Sequence, residues 1–142
     1  MHSLQLQPAT RNGSHNKKQV EYLDFVVSGR SLKCILGIEN ADYVTLIGYG
    51  TNREFVRQIL NIFRLKEKSY LATERVMIYA CPECGDIGCG AITAVILDSG
   101  SKIVWKDFGY ETDYGGVTEQ YSNIEPIEFD SQSYFNAFSR LK

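Results

Sequence analysis

Histidine is almost missing from this chain, and that scarcity excludes more chemistry than any other feature of it. Only His2 and His15 occur, both within the polar first 18 residues, and neither a His nor a Cys follows Cys89. A general base must be held within hydrogen-bond reach of the proton it takes. The remainder of the chain therefore has no imidazole to activate a Ser or Cys nucleophile, and no complete catalytic set is legible. Long apolar runs are also lacking: none approaches the roughly 20 residues that span a bilayer. The stretch from Met1 to Gln19 has no apolar centre of the kind a secretory signal needs. A basic excess is absent too, since the formal net charge is −2. Phosphate backbones reward surplus Lys and Arg, so a dedicated nucleic-acid binder is not expected. Four cysteines in 142 residues do not demand a disulfide framework, and the expectation is a cytoplasmic protein with reduced thiols.

What is present suits one globular unit. Hydrophobic residues make up 44% and charged residues 23%, close to globular averages. Residues 1–18 mix Gly, Ser, Asn, Pro and Lys and read as a mobile arm, which leaves residues 19–142 as a single domain. Val20 to Val27 is rich in β-branched and aromatic side chains and stops at Ser28-Gly29, a strand pattern. Ser31 to Leu36 reads as one helical turn closed by Gly37, and Tyr43 to Ile47 as a second strand. Thr51-Asn52-Arg53-Glu54 has the form of a capping box. Behind it Phe55, Ile59, Ile62 and Phe63 recur at helical spacing, with Val56 and Leu60 widening the stripe. Strand-like runs follow from Arg75 to Ala80, from Ala91 to Leu97 and from Lys102 to Phe108. The last two flank the turn cluster Asp98-Ser99-Gly100-Ser101 and should pair as a hairpin. A Tyr-rich loop is expected from Gly109 to Gly116. Ile124 to Phe129 follows as an edge strand on account of Pro126. A closing helix is capped by Asp130 or Ser131 and places Tyr134, Phe138 and Leu141 on one face. These elements predict an α+β fold: one mainly antiparallel sheet with two or three helices packed on it.

The densest motif is Cys81-Pro82-Glu83-Cys84-Gly85-Asp86-Ile87-Gly88-Cys89-Gly90. Two thiolates on a tight C-P-x-C-G turn can meet one tetrahedral ion, and Cys81, Cys84 and Cys89 are the candidate zinc ligands. A closed zinc site needs a fourth ligand, and Cys34, Asp86, His2 and His15 are candidates. Cys81 and Cys84 could instead act as a redox dithiol, although such pairs favour a helix N-terminus and Gly-Asp-Ile-Gly resembles a turn. In the plainest alternative the three Cys and three Gly make a tight, buried connection between two strands, and no cofactor is required. Gly48-Tyr49-Gly50-Thr51 lacks the ending of a P-loop and the third glycine of a dinucleotide fingerprint. It reads as an ordinary strand-to-helix turn.

Charge is unevenly distributed. From Asp107 to Asp130 there are seven acids and neither Lys nor Arg, so this segment carries −7 in a chain whose total is −2. Trp105, Tyr110 and Tyr114 interleave with Asp107, Glu111, Asp113 and Glu119. Aromatics supply contact area and acids steer a basic partner, so these seven residues are the candidate partner-binding set. The alternative is that folding scatters them over several faces.

The string CPECGDIGCGAIT, followed after a hairpin by VWKDFGYE, resembles a group of small bacterial proteins with a C-P-x-C-G-D-x-G-C-G-A-x-T core. Tyr22 to Leu32 (YLDFVVSGRSL) is similar to the same group, and the resemblance spans most of Tyr22 to Tyr110. In size, character and charge the chain is also similar to immunity proteins of contact-dependent growth-inhibition and polymorphic-toxin systems. That second resemblance implies a protein that binds and blocks a cognate toxin domain, with a nuclease the natural target of an acidic surface. It implies no catalytic residue, no nucleic-acid partner and no membrane partner. A zinc-stabilised binding module and a thiol redox protein are the alternatives.

Overall fold

The computed structural model of the chain describes residues 1–48, 53–118, 120–139 and 141. Among them are three α-helices and two antiparallel sheets, an α+β fold. The sheets are two where one was expected. The first has the order β1-β2-β3, from Leu4–Arg11, Val20–Val27 and Arg30–Ser31. The second contains β4 (Val76–Ala80), β5 (Ala91–Asp98), β6 (Lys102–Thr112) and β7 (Gly116–Thr118) in that order. A last strand, β8 (Ile127–Asp130), also pairs with β6.

β1 corrects the expectation of a mobile arm over residues 1–18. It pairs along its whole length with β2, from Leu4 opposite Val27 to Arg11 opposite Val20. Its composition is polar because it is half-exposed, yet Leu4 is buried. Upstream, the His2 N–H donates to the Glu128 carbonyl at 2.7 Å and the Asp130 N–H donates back to the His2 carbonyl. The lead-in thereby ties the first sheet to β8 of the second.

Residues 43–47 do not form the expected strand. This segment straddles the two sheets instead. Val44 exchanges both backbone bonds with Ala80 of β4, while the Ile47 carbonyl and the Thr45 hydroxyl bond Leu23 of β2. One bridge on each side is too few for a ladder. The loop expected from Gly109 is also shorter than the pattern implied, because β6 runs on to Thr112 and pairs with β7. Gly109 makes this possible. A Cβ there would stand 2.7 Å from both the Thr118 carbonyl oxygen and Val117 Cγ1.

The helices follow the sequence closely. α1 (Leu32–Leu36) is capped by the Ser31 hydroxyl, which accepts from the Lys33 N–H. α2 (Arg53–Phe63) buries Ile59, Leu60, Ile62 and Phe63. Thr51 of its expected capping box, and most of the Gly48–Thr51 turn, lie outside the described residues. α3 (Ser131–Ser139) starts where the Asp130 carboxylate accepts from the Ser133 N–H, and it buries Tyr134 and Phe138.

One core joins both sheets and all three helices. Its centre is aromatic: Trp105 meets Phe25 and Phe129 edge-on, each with ring centroids 5.1 Å apart, while Phe63 stacks on Phe138 at 5.7 Å. Edge-to-face pairs of this kind add about 0.5–1.5 kcal/mol each beyond the area they bury. The polar tips are satisfied. Trp105 Nε1 donates to the Tyr134 hydroxyl, which donates to the Phe63 carbonyl, and the Tyr79 hydroxyl donates to Asp24. No described helix is long and apolar enough to cross a membrane.

Candidate functional site

Two regions carry the residues singled out by the sequence. The first is the cysteine loop joining β4 to β5. Cys81 follows the last residue of β4, and the Gly85 N–H donates to its carbonyl at 2.8 Å, closing the C-P-E-C turn. The Asp86 carboxylate then accepts from the Gly88 N–H and caps a single 3-10 turn, Ile87–Cys89. Gly90 returns the chain to β5 with φ at 85°. A Cβ there would lie 2.0 Å from the Tyr110 hydroxyl oxygen, and that hydroxyl donates to the Cys89 carbonyl. Position 90 thus needs glycine both for its backbone and for its neighbour.

The loop is held from outside by a residue that belongs to no motif. Arg11, at the end of β1, reaches Glu83 at 2.7 Å and Asp42 at 2.9 Å with a side chain only 8% exposed. The hydrogen bond Arg11 donates to Asp42, with the one it donates to Glu83, outweighs the cost of burial and raises the Arg11 pKa. Glu83, inside the motif, is therefore an anchor point and is not directed at a metal.

The sulfurs themselves depart from the expected reduced set. Cys84 and Cys89 form a disulfide, while Cys81 and Cys34 are free. The bonded pair is therefore not the C-x-x-C pair proposed as a redox dithiol. All three Sγ atoms of Cys81, Cys84 and Cys89 lie within 4.8 Å of one another, so the reduced loop could hold a metal ion. Cys81 is half-buried, but Cys84 and Cys89 are exposed. The expectation of a buried strand connection fails for those two, because the loop projects past the sheet and only Pro82, Gly85 and Gly90 are covered.

The second region is the acidic aromatic segment, which the fold divides. Trp105 is fully buried at the centre of the core and is corrected from a contact residue to a structural one. Glu111 is likewise buried. Its carboxylate accepts from the hydroxyls of Thr73 at 2.9 Å and Thr93 at 3.0 Å, and it faces Arg75 Nε at 3.6 Å. Arg75 in turn donates to the Thr93 hydroxyl and to the Thr93 and Asp107 carbonyls. Burial lowers the Arg75 pKa, and the Glu111 charge opposes that shift. Glu111 is thus part of an internal ion-pair network and cannot meet a partner. Glu119 lies outside the described residues.

A β-bulge explains the division. Between the pairs Thr93↔Gly109 and Val95↔Lys106, one residue of β5 opposes Asp107 and Phe108 of β6. Asp107 takes a left-handed conformation with φ at 55°, one that Asp tolerates better than most residues. The extra residue resets the alternation. Trp105 and Phe108 both point inward, and Asp107 is left on the surface. Asp113 and Tyr114 occupy the β6–β7 turn, where Tyr114 is 86% exposed, and Tyr110 is half-buried beside the cysteine loop. Asp107, Val117 and Thr118 line a shallow cavity of about 410 Å³ with Arg75 and Tyr121. Val117, itself 39% exposed, lies on β7, just beyond the loop expected from Gly109 to Gly116 and in a strand too short to show a pattern.

Comparison with protein-family models, curated proteins and solved structures returns no match.

Of the candidate partner set, Asp107 at the bulge and Asp113 and Tyr114 at the turn remain exposed, Tyr110 is half-buried, and the structure adds Val117 on the returning strand. The turn presents an exposed aromatic ring next to one acid, Asp113.

Proposed function

We propose that this chain is an inhibitor of the immunity-protein type. It binds a cognate bacterial toxin domain in the cytoplasm and acts on a protein, not on nucleic acid or a membrane. The observation that carries this reading is Tyr114, a tyrosine 86% exposed at the tip of a hairpin with Asp113 beside it. Exposed aromatics of this kind lose little entropy on docking and fill pockets at interface centres. The adjoining Asp113 carboxylate favours a basic groove, such as the phosphate-gripping cleft of a nuclease.

The test is neutralisation. A toxin domain encoded beside this chain is co-expressed with it in a bacterial host, and growth is followed. The intact protein restores growth, whereas Tyr114→Ala and Asp113→Lys lose protection and bind the purified domain at least about 30-fold more weakly. Toxicity undiminished by the intact protein would end the reading. Full protection by both variants would remove the hairpin from it.

A second reading is favoured by the three clustered sulfurs. With the disulfide reduced, Cys81, Cys84 and Cys89 supply three thiolates to one zinc ion, leaving the fourth position to water or a partner group. Zinc would then pin the β4–β5 loop. Reduced protein titrated with zinc should take up one equivalent and gain thermal stability that a chelator removes. A melting temperature indifferent to zinc and chelator alike eliminates the metal.

A further inference from the structure

The three sulfurs are not equivalent, and their arrangement supports chemistry independent of both the hairpin and a metal. A disulfide is broken when a thiolate attacks one of its sulfurs. Cys81 is a free thiol whose Sγ lies within 4.8 Å of both sulfurs of the Cys84–Cys89 bond. A nucleophile held that close acts at the high effective concentration of an intramolecular reaction. Cys81 is also the fixed member: it continues β4 directly from Ala80, whose backbone is bonded to Val44. Cys84 shares with it the turn closed by the Gly85 N–H, whereas Cys89 belongs to the separate 3-10 turn.

We propose that Cys81, Cys84 and Cys89 form a three-sulfur exchange site whose ligand is an external disulfide. The Cys81 thiolate attacks Cys84 Sγ, an electron pair from Cys81 forms the Cys81–Cys84 bond, and the pair of the broken bond leaves with Cys89. The proton lost by Cys81 is balanced by the one Cys89 can gain, and nothing is oxidised or reduced overall. The new bond lies within the closed C-P-E-C turn, and the sulfur released is exposed. As a thiolate, Cys89 then attacks an external disulfide R–S–S–R, forms Cys89–S–S–R and expels one R–S⁻. Cys84 is therefore the switching atom and Cys89 the sulfur that meets the ligand.

Oxidised glutathione is the probe. Cys34→Ser protein, which lacks the remaining thiol, is oxidised, incubated with it at mildly alkaline pH, quenched with acid and mapped by mass spectrometry. The expected product carries one glutathionyl group on Cys89 together with a Cys81–Cys84 disulfide. In Cys34→Ser/Cys81→Ser the label is lost and Cys84–Cys89 stays intact. Cys34→Ser/Cys89→Ser, which presents only the new pair, should close Cys81–Cys84 on oxidation. Glutathione found on Cys81 beside an intact Cys84–Cys89 bond would overturn the proposal. So would an oxidised protein in which Cys84 never pairs with Cys81, or a Cys89-free variant that stays reduced. Circular dichroism of each variant shows whether the fold is kept, and the Cys89-free variant needs no competing disulfide to report.

Discussion

Among single residues the acids separate most sharply, because two that look alike in sequence sit in opposite environments. Glu111 is buried against Arg75, Thr73 and Thr93, whereas Asp113 is exposed. Removing one partner of a buried pair leaves the other charged and uncompensated. Glu111→Ala should lower unfolding stability by about 3 kcal/mol in urea titration, and Asp113→Lys should change it by no more than about 0.5 kcal/mol. A charge reversal at Glu111 would therefore mimic a loss of binding simply by unfolding the protein. Tyrosines divide in the same way. Burial, reinforced by the Asp24 charge, pushes the Tyr79 pKa up, and burial does the same for Tyr134. The unfolded chain ionises these phenols from about pH 10, while the folded chain keeps their protons. The stability they contribute is whole below that pH and drains away as pH rises past it. Ultraviolet titration should show Tyr79 and Tyr134 ionising only as the protein unfolds. Ionisation of Tyr79 or Tyr134 in folded protein would contradict their burial.

At the level of elements, regular periodicity was readable and irregularity was not. The apolar stripe of α2, the turn at Asp98–Ser101 and the aspartate capping α3 are all local, and local chemistry is written in adjacent residues. The bulge at Asp107 is different. It depends on pairing with β5, a non-local condition that no run of residues announces, yet it decides that Trp105 and Phe108 both face inward. It also decides which acids remain on the surface, so the candidate partner set was legible as a segment but not as a face. The bulge can be tested directly. Asp107 adopts φ of 55°, which glycine accepts freely and a β-branched residue does not. Asp107→Val should cost about 1–2 kcal/mol more than Asp107→Gly in thermal or urea unfolding. Equal stability of the two would mean that the strand runs without a bulge. The cysteine loop was likewise visible as a motif, while its sulfur pairing and its support from Arg11 were not, because they depend on contacts distant in sequence.

For the molecule as a whole, the two sheets share one aromatic core, and the first sheet is completed by residues whose composition reads as an arm. Polarity misled there because an edge strand pairs through its backbone while half its side chains face water. Leu4 and the ladder to β2 give β1 an energetic role. Native hydrogen exchange should find the β2-facing amides of Leu4–Arg11 protected to the same order as those of β2. Exchange at the rate of a free peptide would return these residues to the arm first expected.

The bond between His2 and the β8 backbone carries a consequence for how the chain is made. It joins residues 2 and 128, far apart in sequence, and such long-range closure is slow because a large loop must be ordered first. During synthesis β1 and β2 can form their hairpin as soon as both have emerged, but the seam to β8 must wait until residue 128 is free as well. Until then the nascent protein presents an unfinished sheet edge and an open aromatic core to its surroundings.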